Sequence, residues 1–176
     1  MANIPKWSDN TREERYFTAV LFGALVLEPE PFWALLRPHL GIAESVKVKD
    51  IGYEVCMLRD LAHKKFINRY TPLEKQTFDL VFTLSNDALV LIEAKAHQCF
   101  SLNQIENMVK AKSILLESEK LGISQVHLAG IHSARYNPIN VRTNFKEMAL
   151  VTWAQLATAY PALSNQLQRA DEIYAN

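Results

Sequence analysis

The chain has 176 residues, 49% of them hydrophobic and 22% charged, enough for one domain to bury a core without disulfides or structural metal and too apolar for a disordered or fibrous polypeptide. Its 19 basic and 19 acidic side chains cancel, so no overall positive field draws in nucleic acid or an acidic membrane, and any polyanion site has to be local. Two cysteines, Cys56 and Cys99, stand without Cys-x-x-Cys spacing, which gives no zinc signature and fits buried free thiols in a reducing compartment. The N-terminal run MANIPKWSDNTREER has no apolar signal core, and no segment is apolar for the length of a membrane span; the expected location is cytoplasmic.

A first helix is predicted to begin near Ser8 or Thr11, where Thr11-x-x-Glu14 reads as a capping box, and to run to about Val26. Phe17, Val20, Leu21 and Ala24 form its inward stripe, with Glu13 and Glu14 on the flanks of that stripe and Arg12 and Arg15 turned away. After the break Glu28-Pro-Glu-Pro31, the run PFWALLRPHLG reads as a short helix that opens on a favourable proline and ends before Gly41. Ser45 to Leu58 alternates and carries β-branched residues, which predicts a strand or a hairpin bent at Asp50-Ile-Gly52. A polar, basic connection follows from Asp60 to Lys75, with His63, Lys64, Lys65 and Arg69.

The stretch TFDLVFTLSNDALVLIEAKAH, Thr77 to His97, is a predicted hairpin turning at Ser85-Asn86-Asp87. Ser101-x-x-Gln104 opens a long amphipathic helix through Ile105, Met108, Val109 and Leu115 that closes at Gly122. Ser124 to Ala134 reads as a strand, Arg135 to Lys146 as a loop, EMALVTW as another strand, and the chain from Ala154 as a helical region interrupted by Pro161. This order predicts an α/β fold in one domain spanning residues 1–176, with its core over about 11–134 and a C-terminal strand and helices over 147–176. Its mixed sheet is a β-meander whose last strand crosses over, through the Ser101 helix, to a parallel strand. Strands apolar on both faces predict a sheet covered on both sides.

The hairpin carries charges that a buried strand should avoid, because an unpaired ion out of water costs several kcal/mol or more. Side chains alternate along a strand, so Glu93 and Lys95 share a face, and Asp79 joins them only if the loop holds an odd number of residues. Ser85, Asn86 and Asp87 make three, which places Leu84 opposite Ala88 and Asp79 opposite Glu93, with Cβ atoms roughly 4.5 to 5.5 Å apart. Two carboxylates at that separation repel unless a cation lies between them. Hard oxygen ligands with room for water describe Mg²⁺ or Mn²⁺. A lysine one strand repeat further on suits phosphodiester hydrolysis, in which the metal lowers the pKa of a bound water and the ammonium orients it or stabilises the pentavalent state.

Asp79, thirteen intervening residues, then Glu93-Ala94-Lys95, on the second and third strands of a helix-strand-strand-strand-helix-strand order, resembles the PD-(D/E)XK nuclease superfamily of restriction-endonuclease-like folds. The resemblance covers roughly Thr11 to Ala134. It implies that Asp79 and Glu93 chelate Mg²⁺, that the Ala94 carbonyl completes the protein ligands and that Lys95 is the catalytic lysine. It further implies an acidic residue from the first helix, Glu14 or Glu13, and a glutamine from the helix after the motif, Gln104. Phe78 stands where the family's pattern has proline. A nuclease acting on DNA is the expected function, with a homodimer as one way to cut both strands.

Plainer readings apply to the same residues. Asp79 and Lys95 can form a cross-strand salt bridge beside a solvated Glu93, Glu14 and Gln104 can cap their helices, and His97, on the same strand face as Lys95, can be structural or touch phosphate. Lys64, Lys65 and Arg69 can contact a phosphate backbone or form an ordinary solvated face. A nuclease-like fold that only binds or regulates is the competing function, favoured by the neutral net charge. No Walker loop, Gly-x-Ser-x-Gly elbow, His-Glu-x-x-His or Cys/His cluster is present.

Overall fold

In the computed structural model, residues 13–69, 73, 75–136 and 148–174 are described. Helices α1 (Glu14–Leu27) and α2 (Glu30–Leu40) lead into β1 (Val48–Val55), a short helix α3 (Met57–His63), and the hairpin β2 (Phe78–Leu84) and β3 (Leu89–Ala94). Then come α4 (Leu102–Leu116), β4 (Val126–His132), β5 (Met148–Thr152), α5 (Trp153–Ala159) and α6 (Ser164–Glu172), with 3-10 turns at Glu119–Leu121 and Pro161–Leu163. The five strands form one mixed sheet in the order β1-β2-β3-β4-β5. β1 and β3 run antiparallel to β2, while β4 is parallel to β3 and β5 parallel to β4. The predicted meander, crossover and parallel partner are all present.

Alternation along the strands sorts the apolar side chains into two layers. Leu80, Phe82, Val90, Ile92, Ala129 and Ile131 pack with α1, α2, α5 and α6 through Phe17, Leu21, Trp33, Trp153 and Leu167. Val81, Leu91 and Leu128 pack on the opposite side with α4 through Ile105, Met108 and Leu115. The central strands are therefore buried on both faces, which is why they read as nearly continuous apolar runs.

Several elements differ from the expectations. Glu13 is the N-cap of α1 and makes no side-chain cap bond, so Glu14 is the first residue of this helix; Ser8 and Thr11, and with them the predicted Thr11-x-x-Glu14 capping box, lie outside the described residues. The buried stripe of α1 is Phe17, Thr18, Leu21 and Leu25, with Val20 and Ala24 half-buried, a rotation that follows from packing against two helices and the sheet at once. β1 is a single strand that bulges between Val48 and Asp50 instead of folding back at Gly52. It stops at Val55, because Glu54 takes the left-handed value φ 51 and Leu58 then enters the α4-side core from α3. That helix replaces the first part of the predicted polar connection.

α4 ends at Leu116, and a 3-10 turn carries the chain to Gly122, whose φ of 61 supplies the left-handed stop. Most of the Arg135 to Lys146 loop, from 137 onward, lies outside the described residues. Both cysteines are free, but Cys56 is half-buried and Cys99 exposed, so neither is the buried thiol expected. Among the described residues no single helix is long and apolar enough to cross a membrane.

Candidate functional site

The hairpin turn sets the site. Asp87 adopts φ 60, which a short polar side chain tolerates, and the three-residue loop closes through Leu84 N–H to the Ala88 carbonyl at 2.9 Å. The register runs Thr83 with Leu89 through Leu80 with Ile92, so the next pair is Asp79 with Glu93, as the loop length requires. Hydrogen-bonded pairs alternate along an antiparallel ladder, and the next such pair after Leu80 and Ile92 would be Phe78 with Ala94. The Ala94 N–H instead donates to Asp79 Oδ2 at 2.7 Å. The aspartate thus takes over a ladder position and is tied to the middle residue of Glu93-Ala94-Lys95.

Lys95 lies just past the end of β3, where its N–H donates to the Ile131 carbonyl of β4 at 2.7 Å and its carbonyl accepts from Trp153 Nε1 at 2.9 Å. Backbone held on both sides fixes the root of the side chain. Lys95 Nζ donates to Glu93 Oε1 at 2.9 Å and to Glu14 Oε2 at 3.2 Å, and the lysine side chain is only 10% exposed. Gln104 Nε2 donates to the same Glu93 Oε1 at 3.1 Å. Gln104 also completes a reciprocal capping box with Ser101, so the amide oxygen caps α4 while the amide nitrogen holds Glu93.

Burial dominates the electrostatics. It raises the Asp79 pKa to about 7, with the neighbouring Glu93 pushing the same way and the Ala94 N–H and Lys95 only partly opposing. Glu93 is raised by burial as well, against the pull of Lys95. Burial works against the Lys95 ammonium, but Glu93, Glu14 and Asp79 outweigh it and hold its pKa above the ordinary lysine value.

Of the two helix-one candidates, Glu14 is drawn into the site and Glu13 remains exposed at the helix cap, on the rim of the same cavity. His97 has left the strand, since β3 ends at Ala94, yet its Nδ1 stands 4.0 Å from Glu14 Oε1 and makes no hydrogen bond among the described residues. Lys64, Lys65 and Arg69 are exposed and not gathered with the others. Lys65 and Arg69 line a separate cavity of about 610 Å³ beside Ile114 and Ser118 at the far end of α4, on the order of 15 Å along the helix from Gln104 at a rise of 1.5 Å per residue.

Two site residues had no usable sequence signal. Glu54 lines the cavity and lies across from Asp79, since its neighbours Tyr53 and Val55 pair with Leu80 and Phe78. Arg15 holds it at 3.3 Å, and its left-handed backbone costs on the order of 1–2 kcal/mol. Trp153 reaches Lys95 across 58 residues of sequence, a tertiary approach no local pattern announces.

Asp79, Glu93 and Lys95 open on a cavity of about 420 Å³ that Glu14, Glu54 and His97 also line. Among the described residues, Asp79 Oδ1 and Glu93 Oε2 accept no hydrogen bond, their partner oxygens being taken by Ala94 and by Lys95 and Gln104. Two carboxyls, Glu93 buried and Asp79 half-buried, with raised pKa and a free oxygen apiece are short of positive charge, which is the donor set a hard divalent cation fits. No group of three His, Cys, Asp or Glu side chains among the described residues is placed to hold a metal by itself, so an ion here would rest on two carboxylates with backbone and water, as Mg²⁺ commonly does. In comparisons with known proteins, the chain matches no protein family, no curated protein and no solved structure.

Proposed function

We propose that the chain is a Mg²⁺- or Mn²⁺-dependent nuclease, hydrolysing phosphodiester bonds of DNA on a restriction-endonuclease-like core of the PD-(D/E)XK kind. The observation that carries this reading is the convergence of Asp79, Glu93 and Lys95, linked by the Ala94 N–H to Asp79 and the Lys95 ammonium to Glu93. Gln104 and Glu14 join them from two different helices. A bound divalent ion would supply acidification of a water and screening of charge on phosphorus. Asp79 Oδ1, Glu93 Oε2 and the Ala94 carbonyl are the groups that would hold it. Gln104 fixes the Glu93 carboxylate so that Oε2 is left for this task. The three Nζ hydrogens of Lys95 serve to orient the attacking water and to stabilise the charge of the pentavalent state.

The test is cleavage of supercoiled plasmid, single-stranded DNA and RNA in Mg²⁺, beside calorimetric titration with Mn²⁺. Lys95→Ala is expected to lose at least about 100-fold in rate, the scale of deleting one transition-state donor, while still binding the ion. Asp79→Asn is expected to lose both cleavage and ion binding. A wild-type protein that binds no divalent ion and cuts none of the three substrates would overturn the reading.

A second reading, a nuclease-like fold that binds or regulates without cutting, is favoured by the cavity's own charge. Glu13, Glu14, Glu54, Asp79 and Glu93 line it against Arg15 and Lys95, which repels a polyanion unless cations are added. Mn²⁺ binding with no cleavage of any of the three substrates would decide for it.

A further inference from the structure

Resting on the metal reading above, we infer that Lys95 is the site's resident counter-ion in the metal-free protein, and that a divalent cation enters by exchange, driving the ammonium off Glu93 and out toward the substrate. The geometry points to this directly. Glu93 Oε1 and Glu14 Oε2 both receive the Lys95 ammonium, at 2.9 and 3.2 Å. All three side chains are largely buried, at 10, 11 and 17% exposure for Lys95, Glu93 and Glu14. A lysine so placed has two of its three Nζ hydrogens committed to carboxylates, which leaves one for a scissile phosphate in the cavity.

An ammonium is a compact point charge on a flexible four-carbon stem, so it can leave one carboxylate without disturbing the backbone. That backbone is pinned independently by Ile131 and Trp153, which lets the side chain move while its root stays fixed. Gln104 donates to the same Glu93 oxygen as Lys95 and is neutral, so it can keep Glu93 oriented after the lysine departs. A divalent ion within coordination distance of Glu93, roughly 2.1 Å, would stand close to the ammonium and repel it. His97, 4.0 Å from Glu14, lies at the other end of the same carboxylate and marks the side toward which Glu14 can turn as its partner withdraws. The exchange couples activation to metal: without the ion the ammonium is largely committed to carboxylates, and with it the catalytic ammonium is delivered.

Two measurements on the full chain test the exchange. The first is calorimetric titration with Mn²⁺ of wild type and Lys95→Met, expected to give an affinity at least tenfold tighter in the variant because no ammonium has to be displaced. An unchanged or weaker affinity overturns the inference. The second uses wild type alone, so it does not depend on the variant folding: a crystal structure grown with Mn²⁺, the ion located by its anomalous signal. The expected result is Lys95 Nζ beyond hydrogen-bond distance, about 3.5 Å, from both Glu93 oxygens. Mn²⁺ seated on Asp79 and Glu93 with the Lys95–Glu93 contact intact overturns the exchange while leaving the metal reading standing. Failure of both proteins to bind Mn²⁺ removes the metal reading and the exchange with it.

Discussion

Asp79 has one carboxylate oxygen committed to a backbone N–H and the other free, inside an environment that raises its pKa to about 7, first by burial and then by the charge of Glu93. A metal ion and a proton therefore compete for the same group in the physiological range. Below that pKa each pH unit adds tenfold more proton competition, so Mn²⁺ affinity is expected to fall about tenfold per unit as the pH is lowered from 7 to 5.5. Above about pH 8 it should be flat. Calorimetry in buffers of different ionisation enthalpy should show close to one proton released per ion bound at pH 6. An affinity independent of pH from 5.5 to 8 would show that Asp79 ionises like an exposed aspartate and that the burial argument fails.

Helix α4 serves the site through its first turn. Ser101 Oγ accepts from the Gln104 N–H at 3.2 Å, and Gln104 Oε1 accepts from the Ser101 N–H at 3.1 Å, which leaves Nε2 for Glu93. Removing either side chain breaks the capping box at a cost of about 1 kcal/mol. Only Gln104 also orients the acid. Ser101→Ala and Gln104→Ala are thus expected to lose similar stability in urea denaturation, with Mn²⁺ affinity lowered several-fold in Gln104→Ala and unchanged in Ser101→Ala. Equal affinities in the two variants would reduce Gln104 to a cap.

β4 supports the same site from behind. Gly130 pairs with Glu93, and a Cβ there would come within 2.7 Å of Phe100 and 2.9 Å of Leu150. Gly130→Ala is expected to destabilise the fold by about 1–3 kcal/mol, the scale of overpacking a filled core, as read from the shift in urea midpoint.

At the scale of the whole molecule, what the sequence disclosed and what it withheld divide along contact range. The hairpin register was legible because alternation and a three-residue loop leave one pairing that puts Asp79 beside Glu93, and the parallel β3–β4 pair followed from the crossover helix. Strand β1 was legible as a strand, but its bulge at Lys49 and the left-handed Glu54 belong to its pairing with β2 and have no local signal. The choice of Glu14 over Glu13 was also closed to sequence reading, since it turns on where α1 starts relative to a lysine 81 residues away. Sites assembled across layers in this way burden the fold that carries them.

The last prediction measures that burden. A carboxyl raised from 3.8 to about 7 binds more protons folded than unfolded between those values, so stability falls as pH rises through that window. Three pKa units set a ceiling on the order of 4 kcal/mol. Glu93, also raised by burial, adds in the same sense. His132 and His127, both lowered by burial, act oppositely, since the unfolded chain takes up their protons as pH drops through 6.5 and below. Comparison with Asp79→Asn cancels the histidines, because asparagine keeps an oxygen to accept the Ala94 N–H and has nothing to titrate. In chelator, the variant is expected to be more stable than wild type at pH 8 by up to a few kcal/mol, with the gap closing toward pH 4.5; saturating Mn²⁺ at pH 8 should then reverse the order, stabilising wild type alone. Urea denaturation at the two pH values, with and without Mn²⁺, reads all four states. An Asp79→Asn protein less stable than wild type in chelator at both pH values would mean that Asp79 is a structural acid well satisfied where it stands, without need of a cation.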